Sequence, residues 1–157
     1  MDSPLDSRLP KLQDPALGET VWRTTVPIRF SHCDPAGIVY FARYFDILNG
    51  VIEDWFCQEL QIDYHEVIGR RRVGLGYVNA NAEFAKPGFM GDELDFAVVV
   101  RDIGRSSFRL RIHASRGSEP VLLAELVIVA TSLETHRSIP LPDDIRAALE
   151  LYQEKCP

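Results

Sequence analysis

The chain has 157 residues, of which 46% are hydrophobic and 25% are charged, and its formal net charge is -6. These values are typical of one globular domain that buries its own core, and the acidic balance argues against nucleic acid as the main partner. The cysteines show no CxxC spacing, which favours reduced thiols. No segment reaches the ~18 uninterrupted apolar residues of a membrane span. We therefore expect a soluble cytoplasmic protein without a membrane partner.

The N-terminal part of the chain divides into an arm and a first strand. Residues 1–20 are rich in Pro, Asp and Ser and predict a flexible arm ahead of a single domain at 21–157. Residues 21–31 place apolar side chains on one parity and predict a strand. Pro27 cannot donate to a hydrogen-bond ladder, so this strand is expected at a sheet edge or a bulge.

A long apolar helix is predicted next, after the polar turn SHCDPAG. Its apolar residues recur at three- and four-residue steps from about residue 39 to 60, which gives a length of roughly 30 Å. The stripe is wide and carries few charges in its first three turns, so other elements must wrap around it. Its members are Phe41, Tyr44, Phe45, Leu48, Val51, Ile52, Trp55, Phe56 and Leu60.

Four strands follow a basic connection, each indicated by alternation or an apolar run between turn residues: 75–85, 94–103, 107–115 and 121–133. Successive hairpins would make them antiparallel. A short final helix begins near Pro142 and two acids. The order predicts an α+β architecture, in which a sheet curls around one central helix.

This order, together with DPAGIVYFARYF at residues 34–45, resembles the hotdog-fold acyl-CoA thioesterases, specifically the 4-hydroxybenzoyl-CoA thioesterase and YbgC-like group. The family pattern is an Asp, a short turn of small residues, and a Val followed by an aromatic residue. Asp34, Val39 and Tyr40 match it. Two positions depart: Phe41 stands where many YbgC-like members have His, and Asn49 where the 4-hydroxybenzoyl branch has Asp. The resemblance implies a hotdog fold, an antiparallel five-stranded sheet wrapped around a long central helix.

The resemblance implies hydrolysis of an aromatic or short- to medium-chain acyl-CoA to free acid and CoA. Asp34 would act as nucleophile or as general base on water. The backbone N–H of Phe41, at the positive end of the helix, would stabilise the oxyanion, and Gly37 would permit a tight turn.

Three other interpretations of these residues stay open. Asp34 could simply cap the helix. Cys33 and His32 could form a nucleophile pair, although neighbours on a strand point to opposite faces. Glu53 on the helix could be the acid, as in another hotdog branch.

The resemblance also suggests a set of substrate contacts. CoA enters as part of the substrate, so no cofactor is expected. The histidines lack ligand spacing, so no metal is expected either. Arg70–Arg72 and Lys86 are weaker candidates for the CoA phosphates. The residues expected to bind substrate are His32, Tyr40, Tyr44, Asn49, Arg105, Ser106 and Ser107.

Two rival functions remain at this point. A hotdog hydratase or dehydratase needs a His near the acid, but Val39 stands five residues after Asp34. A non-catalytic acyl-CoA-binding protein would keep the fold without turnover. Because an open sheet leaves its edges exposed, we expect a homodimer, or by resemblance a homotetramer of paired dimers, with the active site at the dimer interface.

Overall fold

The computed structural model describes residues 17–157, which form one antiparallel sheet of five strands and three α-helices. Residues 1–16 of the predicted arm lie outside the described part. The remainder of the arm is partly packed, because Leu17 contacts a small cluster on the outer face of the sheet. The elements are β1 (Arg23–Pro27), α1 (Arg43–Gln58), α2 (Tyr64–Gly69), β2 (Val73–Phe84), β3 (Glu93–Ile103), β4 (Ser107–Arg116), β5 (Glu119–Ser132) and α3 (Asp143–Gln153).

The strands lie in the order β1-β3-β4-β5-β2, and every neighbouring pair is antiparallel. The hairpins β3–β4 and β4–β5 are as predicted. A hairpin between β2 and β3 was the wrong expectation, because β2 pairs with β5 instead. The connection at 85–92 joins two strands separated by β4 and β5, and its own backbone bonds to residues 37–39.

The two edges of the sheet are formed by β1 and β2. β1 forms one edge and ends at Pro27, which confirms the edge position expected from that proline. β2 forms the other edge, where the pairing with β5 shifts register between Tyr77 and Asn79. Residues 76–81 of this strand are exposed. β2 is therefore a long edge strand with an accessible central stretch.

Helix α1 lies against the inner face of the sheet and supplies much of the core. Trp55 and Phe56 are fully buried, and the Phe56 ring centroid lies 6.4 Å from that of Phe108 on β4. Such packing confirms the predicted sheet wrapped around a helix. The buried side chains of α1 are Tyr44, Ile47, Leu48, Val51, Ile52, Trp55 and Phe56.

The helix begins later than the periodicity predicted. It starts at Arg43, not near residue 39, because Val39 pairs with Cys33 and donates its N–H to the Gly88 carbonyl at 2.9 Å. An extended residue held on two sides cannot also enter a helix. The 16 residues of α1 span roughly 24 Å.

Two short helices complete the fold. Helix α2 was not predicted, since six residues are too few to show a helical period; Asp63 caps it by accepting the N–H of Glu66 at 3.1 Å. Helix α3 was predicted, and Tyr152 fastens it to the sheet. The Tyr152 hydroxyl donates to the Val98 carbonyl at 2.5 Å and accepts the Trp22 N–H at 3.0 Å. None of the helices in residues 17–157 has the length and apolar character needed to cross a membrane.

Candidate active site

Residues 33–39 form a narrow turn that fixes the position of Asp34. Cys33 and Val39 form an antiparallel bridge at its base. The Asp34 N–H donates to the Ile38 carbonyl at 3.0 Å, and the Gly37 N–H donates to the Asp34 carbonyl at 2.9 Å. Gly37 has φ +77°, which disfavours any residue with a Cβ, although no atom lies within 4 Å of where a Cβ would stand. Gly37 is thus required by conformation and not by crowding.

The half-buried Asp34 carboxylate belongs to this turn and not to the helix. Its Oδ1 accepts the N–H of Ala36 at 2.8 Å. The residue at the N-cap of α1 is Ala42, and no side chain caps that helix. The alternative in which Asp34 caps the helix was therefore wrong.

The helix entrance presents a free backbone donor. The N–H groups of Arg43, Tyr44 and Phe45 bond to carbonyls three residues earlier, at 2.8, 3.2 and 3.2 Å. Within residues 17–157 no group accepts the N–H of Phe41, which lies just before these bonds. An unpaired N–H at the start of a helix lies in its positive field. Such a donor is suited to a carbonyl oxygen on which negative charge develops.

A cleft of about 290 Å³ opens between this helix entrance and the segment after β2. Its lining is mainly apolar, and its charged side chain is Lys86. The lining residues are Ile38, Val39, Phe41, Tyr44, Phe84, Ala85, Lys86, Pro87 and Gly88. Val39, at the position where the hydratase interpretation needs a His, is buried in this wall.

Tyr44 is a buried polar residue of this wall. Its side chain is 3% exposed, and no acceptor for its hydroxyl occurs within the described residues. Burial raises the pKa of Tyr44, and the Gly88 backbone and the charge of Arg116 act in the opposite direction. A Cβ at Gly88 would lie 2.5 Å from the hydroxyl oxygen, so the two residues are in close contact. The hydroxyl therefore stays protonated at neutral pH.

His32 and Cys33 do not form a nucleophile pair. The Nδ1 atom of His32 accepts the backbone N–H of Arg29 at 3.0 Å. The Cys33 thiol lies 3.5 Å from the Arg29 carbonyl and donates to it. Each side chain is therefore engaged with Arg29, and His32 has a local role in the 3₁₀ turn at Phe30–His32.

Tyr40 and Asn49 lie at different distances from the cleft. Tyr40 is half-exposed, and its ring centroid lies 5.0 Å from that of Phe41 at the cleft mouth. Asn49 is on the exposed face of α1, where its Oδ1 accepts the Tyr77 hydroxyl at 2.7 Å. No sequence pattern indicated this partner, because Tyr77 is on a different element.

Three of the residues predicted to bind substrate lie near the end of α1 opposite to the Asp34 turn. They are Arg105, Ser106 and Ser107. Their turn joins β3 to β4, near Phe108 and the C-terminal half of α1, whereas the Asp34 turn lies near Tyr44 at its N-terminus. Twelve residues of helix separate Tyr44 from Phe56, which is roughly 18 Å. A single chain therefore does not bring the two predicted groups together.

The other acidic and basic candidates are engaged elsewhere. The carboxylate of Glu53 lies 2.6 Å from His65, two helical turns or more beyond Phe41. The three arginines at 70–72 each form an ion pair within the chain: Arg70 with Glu66, Arg71 with Asp144, and Arg72 with Glu134. Among the described residues no group of three or more His, Cys, Asp or Glu is arranged to hold a metal ion.

A five-stranded sheet around one helix, with a carboxylate on a fixed turn seven residues before a free N–H at the helix entrance, is an arrangement that suits cleavage of an activated acyl group. The sequence model of the Thioesterase-like superfamily matches residues 28–149, and the chain belongs to that superfamily. This finding confirms the predicted family and fold.

Individual relatives agree with this assignment. The chain is 29% identical over 125 residues to the 1,4-dihydroxy-2-naphthoyl-CoA hydrolase of Synechococcus elongatus, covering 79% of this chain and 91% of that protein. It is 33% identical over 90 residues to the 4-hydroxybenzoyl-CoA thioesterase of Pseudomonas sp. strain CBS-3, covering 57% and 64%. The structure of a 1,4-dihydroxy-2-naphthoyl-CoA thioesterase from Synechocystis superposes with a TM-score of 0.75 at 21% identity, covering 82% and 95%. The two curated relatives are CoA thioester hydrolases, the activity class predicted from the sequence.

Proposed function

We propose that the protein is an acyl-CoA thioesterase that hydrolyses aromatic or short- to medium-chain acyl-CoA to the free acid and CoA. The observation that carries this proposal is the Asp34 carboxylate, held on a fixed turn that leads directly to the unpaired N–H of Phe41. The largely apolar cleft, whose lining includes Ile38 and Phe41 of this stretch, suits an acyl group. The names of the two curated relatives, both aryl-CoA hydrolases, support an aromatic acyl group.

The chemistry follows from these two groups. The thioester oxygen accepts the N–H of Phe41, whose position at the helix entrance stabilises the developing negative charge. The carboxylate of Asp34 then follows one of two routes. It attacks the carbonyl carbon to give a mixed anhydride that water hydrolyses, or it takes a proton from the attacking water. In both routes the C–S bond breaks, and the CoA thiolate leaves and takes a proton that comes from water. The acyl carbon gains its new oxygen directly from water in the general-base route and first from the Asp34 carboxylate in the anhydride route, whose hydrolysis consumes one water and restores the carboxylate.

Release of free thiol tests the proposal directly. Purified protein is incubated with 1,4-dihydroxy-2-naphthoyl-CoA, 4-hydroxybenzoyl-CoA, benzoyl-CoA, acetyl-CoA and octanoyl-CoA, and free CoA is measured with a thiol reagent. We expect turnover well above background with at least one aromatic substrate. Tight acyl-CoA binding with no release of CoA across the panel would contradict the proposal and favour a binding protein.

We further propose that the protein is a homodimer joined through β2. This edge strand has 12 residues and an exposed middle, so it offers unpaired backbone groups to a second chain. Antiparallel pairing of two β2 strands about a two-fold axis aligns the start of one with the end of the other. The β3–β4 turn with Arg105 would then approach the Asp34 turn of the partner subunit. This arrangement unites the two predicted groups that a single protomer keeps apart.

A further inference from the structure

The segment 87–92 contributes Pro87 and Gly88 to one wall of the cleft and also holds the Asp34 turn. Its residue Gly88 accepts the N–H of Val39 at 2.9 Å, and the N–H of Met90 donates to the Gly37 carbonyl at 3.0 Å. Ile38 and Phe89 form an antiparallel bridge between these two bonds. The turn that carries Asp34 is therefore paired along one side with segment 87–92, and its position follows that segment.

Arg116, at the end of β4, binds the same segment through its guanidinium group. Its Nη1 donates to Asp92 Oδ2 at 2.5 Å and to the Pro87 carbonyl at 3.3 Å. Its guanidinium carbon lies 5.5 Å from the centroid of the Phe89 ring. The second nitrogen, Nη2, bonds to Glu119. A planar fork with several donors can hold both ends and the middle of one loop, which a lysine cannot do.

Asp92 connects Arg116 to the backbone of the segment 87–92. The same Oδ2 atom accepts the N–H of Phe89 at 2.9 Å, and the N–H of Asp92 donates to the Phe89 carbonyl at 3.0 Å. Although burial acts to raise it, the bonds from Phe89 and Arg116 hold the pKa of Asp92 below its usual value. The ion pair is therefore fully charged at neutral pH.

The Arg116–Asp92 ion pair is expected to contribute little to the overall stability of the fold. The side chains of Arg116 and Asp92 are 29% and 20% exposed, and ion pairs near solvent add little to the stability of a fold. The same strand carries an ion pair of similar exposure, Arg111 with Glu125, at 27% and 30%. That pair connects two adjacent strands and does not bond to the segment 87–92. The two arginines differ in what they hold, not in how buried they are.

We propose that Arg116 is a positioning residue of the active site: through the segment 87–92 it fixes the Asp34 turn and the wall of the cleft. This inference rests on the proposed thioesterase function for its effect on turnover. Arg116 bonds to the loop that carries the wall and is not among the residues that line the cleft, so it acts through that loop and not on substrate. Its loss leaves the fold intact but allows Asp34 to move relative to the Phe41 N–H, which affects a reaction that depends on alignment.

The first test compares Arg116→Met with Arg111→Met. We expect kcat to fall at least tenfold in Arg116→Met with KM changed less than threefold, while Arg111→Met stays within twofold of wild type in both. Thermal unfolding of the two variants should be shifted by similar amounts. A kcat for Arg116→Met within threefold of that for Arg111→Met would overturn the proposal. Arg116→Lys keeps the charge but not the fork, so we expect a kcat between those of Arg116→Met and wild type.

The second test does not depend on turnover. Amide hydrogen exchange at Met90 and Val39 reports the two bonds between the segment and the turn. We expect at least tenfold faster exchange at both amides in Arg116→Met and no change in Arg111→Met. Unchanged exchange in both variants would overturn the positioning role. If wild-type protein cleaves no acyl-CoA, the proposed function fails, while this measurement still decides whether Arg116 holds the turn.

Discussion

The carboxylate of Asp34 and the N–H of Ala36 form a hydrogen bond of 2.8 Å that closes a turn within three residues. Helix α1 begins nine residues after Asp34, with an N-cap that has no side-chain bond. The acid is thus built into a turn of its own, and its charge makes no contribution to capping the helix. This separation allows the chemistry of Asp34 to be tested with little effect on α1.

Asp34→Asn should abolish most of the turnover without unfolding the protein. The Asn carbonyl oxygen can still accept the Ala36 N–H, so we expect a loss of about 1 kcal/mol or less in unfolding free energy. The negative oxygen is lost, and kcat should fall at least 100-fold, within the ~10²–10⁴ range of acid–base groups. Steady-state CoA release and thermal unfolding provide the measurements. Asp46→Asn, at an exposed acid in the first turn of α1, is the control. A folded Asp34→Asn variant within a few-fold of wild-type turnover would refute the assignment.

Gly37→Ala should weaken both folding and catalysis. The φ of +77° costs a residue with a Cβ about 1–2 kcal/mol even though no atom clashes with it. Gly37→Asn should recover part of that loss, because Asn tolerates the left-handed region better. Denaturant unfolding measures the difference. Gly69→Ala, in the helical residue at the end of α2 with open space around it, should instead raise stability by up to about 1 kcal/mol. Equal effects of Ala and Asn at position 37 would argue against backbone strain.

Tyr44→Phe should leave stability at pH 7 unchanged or slightly higher, because the hydroxyl has no acceptor within the described residues. Burial raises the pKa of Tyr44, so ionisation of its hydroxyl opposes the folded state. Folding stability is therefore independent of this group's ionisation below pH ~10 and falls as pH rises from there through the folded-state pKa. Wild type should therefore lose stability above pH ~10 more steeply than the variant does. Denaturant unfolding between pH 7 and 11 checks this. A loss of more than about 1 kcal/mol at pH 7 would reveal a hydrogen bond to the hydroxyl.

Mixed dimers test whether two subunits share each site. Asp34→Asn and Arg105→Ala subunits, each nearly inactive alone, are unfolded together and refolded. If each site takes Asp34 from one subunit and Arg105 from the other, a hybrid has one site with both defects and one intact site. Activity should then recover toward one quarter of wild type, the value set by random mixing and one active site in each hybrid. No recovery, with hybrids shown to form by mass spectrometry, would contradict the shared site.

The Arg71–Asp144 ion pair should make the folding stability depend on pH in the acidic range. Two bonds, at 2.7 and 2.8 Å, come from the Arg71 guanidinium and hold the pKa of Asp144 below its usual value. A lowered pKa gives stability that is present above the unfolded-state value near 4 and is lost as pH falls through the folded-state value. Because Asp144 is half-exposed, Asp144→Asn should cost only about 1 kcal/mol at pH 7. The difference from wild type should shrink as the pH falls below about 4, and Asp143→Asn, at the neighbouring acid, is the control.

The sequence predicted the elements whose signals are local. The alternation in residues 107–115 marked β4 because one side of each strand faces the core. The stripe of α1 predicted its buried face, but not its first residue. That boundary depends on Gly88, which is distant in sequence and binds Val39.

Non-local pairing explains the rest. The position of β2 beside β5 is a choice of partner that no property of β2 alone determines. For the same reason, nothing near Arg116 indicated the segment that it holds. Asp34 and Phe41 were assigned to the site because they lie on one continuous stretch with a family pattern. Arg105 was assigned to the same site, but within one chain it lies near the C-terminal half of α1, whereas the Asp34 turn lies near the N-terminus of that helix.

Both tryptophans of the chain lie beside Tyr152. Trp55 meets its ring at a centroid distance of 5.2 Å, and Trp22 donates its backbone N–H to its hydroxyl. Eleven helical residues, roughly 16 Å, separate Trp55 from Tyr44 at the cleft. The emission of Trp55 therefore follows the junction of α1 and α3, and an acyl group bound in the cleft should leave it nearly unchanged. A Phe41→Trp variant would place an indole at the cleft mouth while keeping the main-chain N–H, and its emission would report occupancy separately from unfolding.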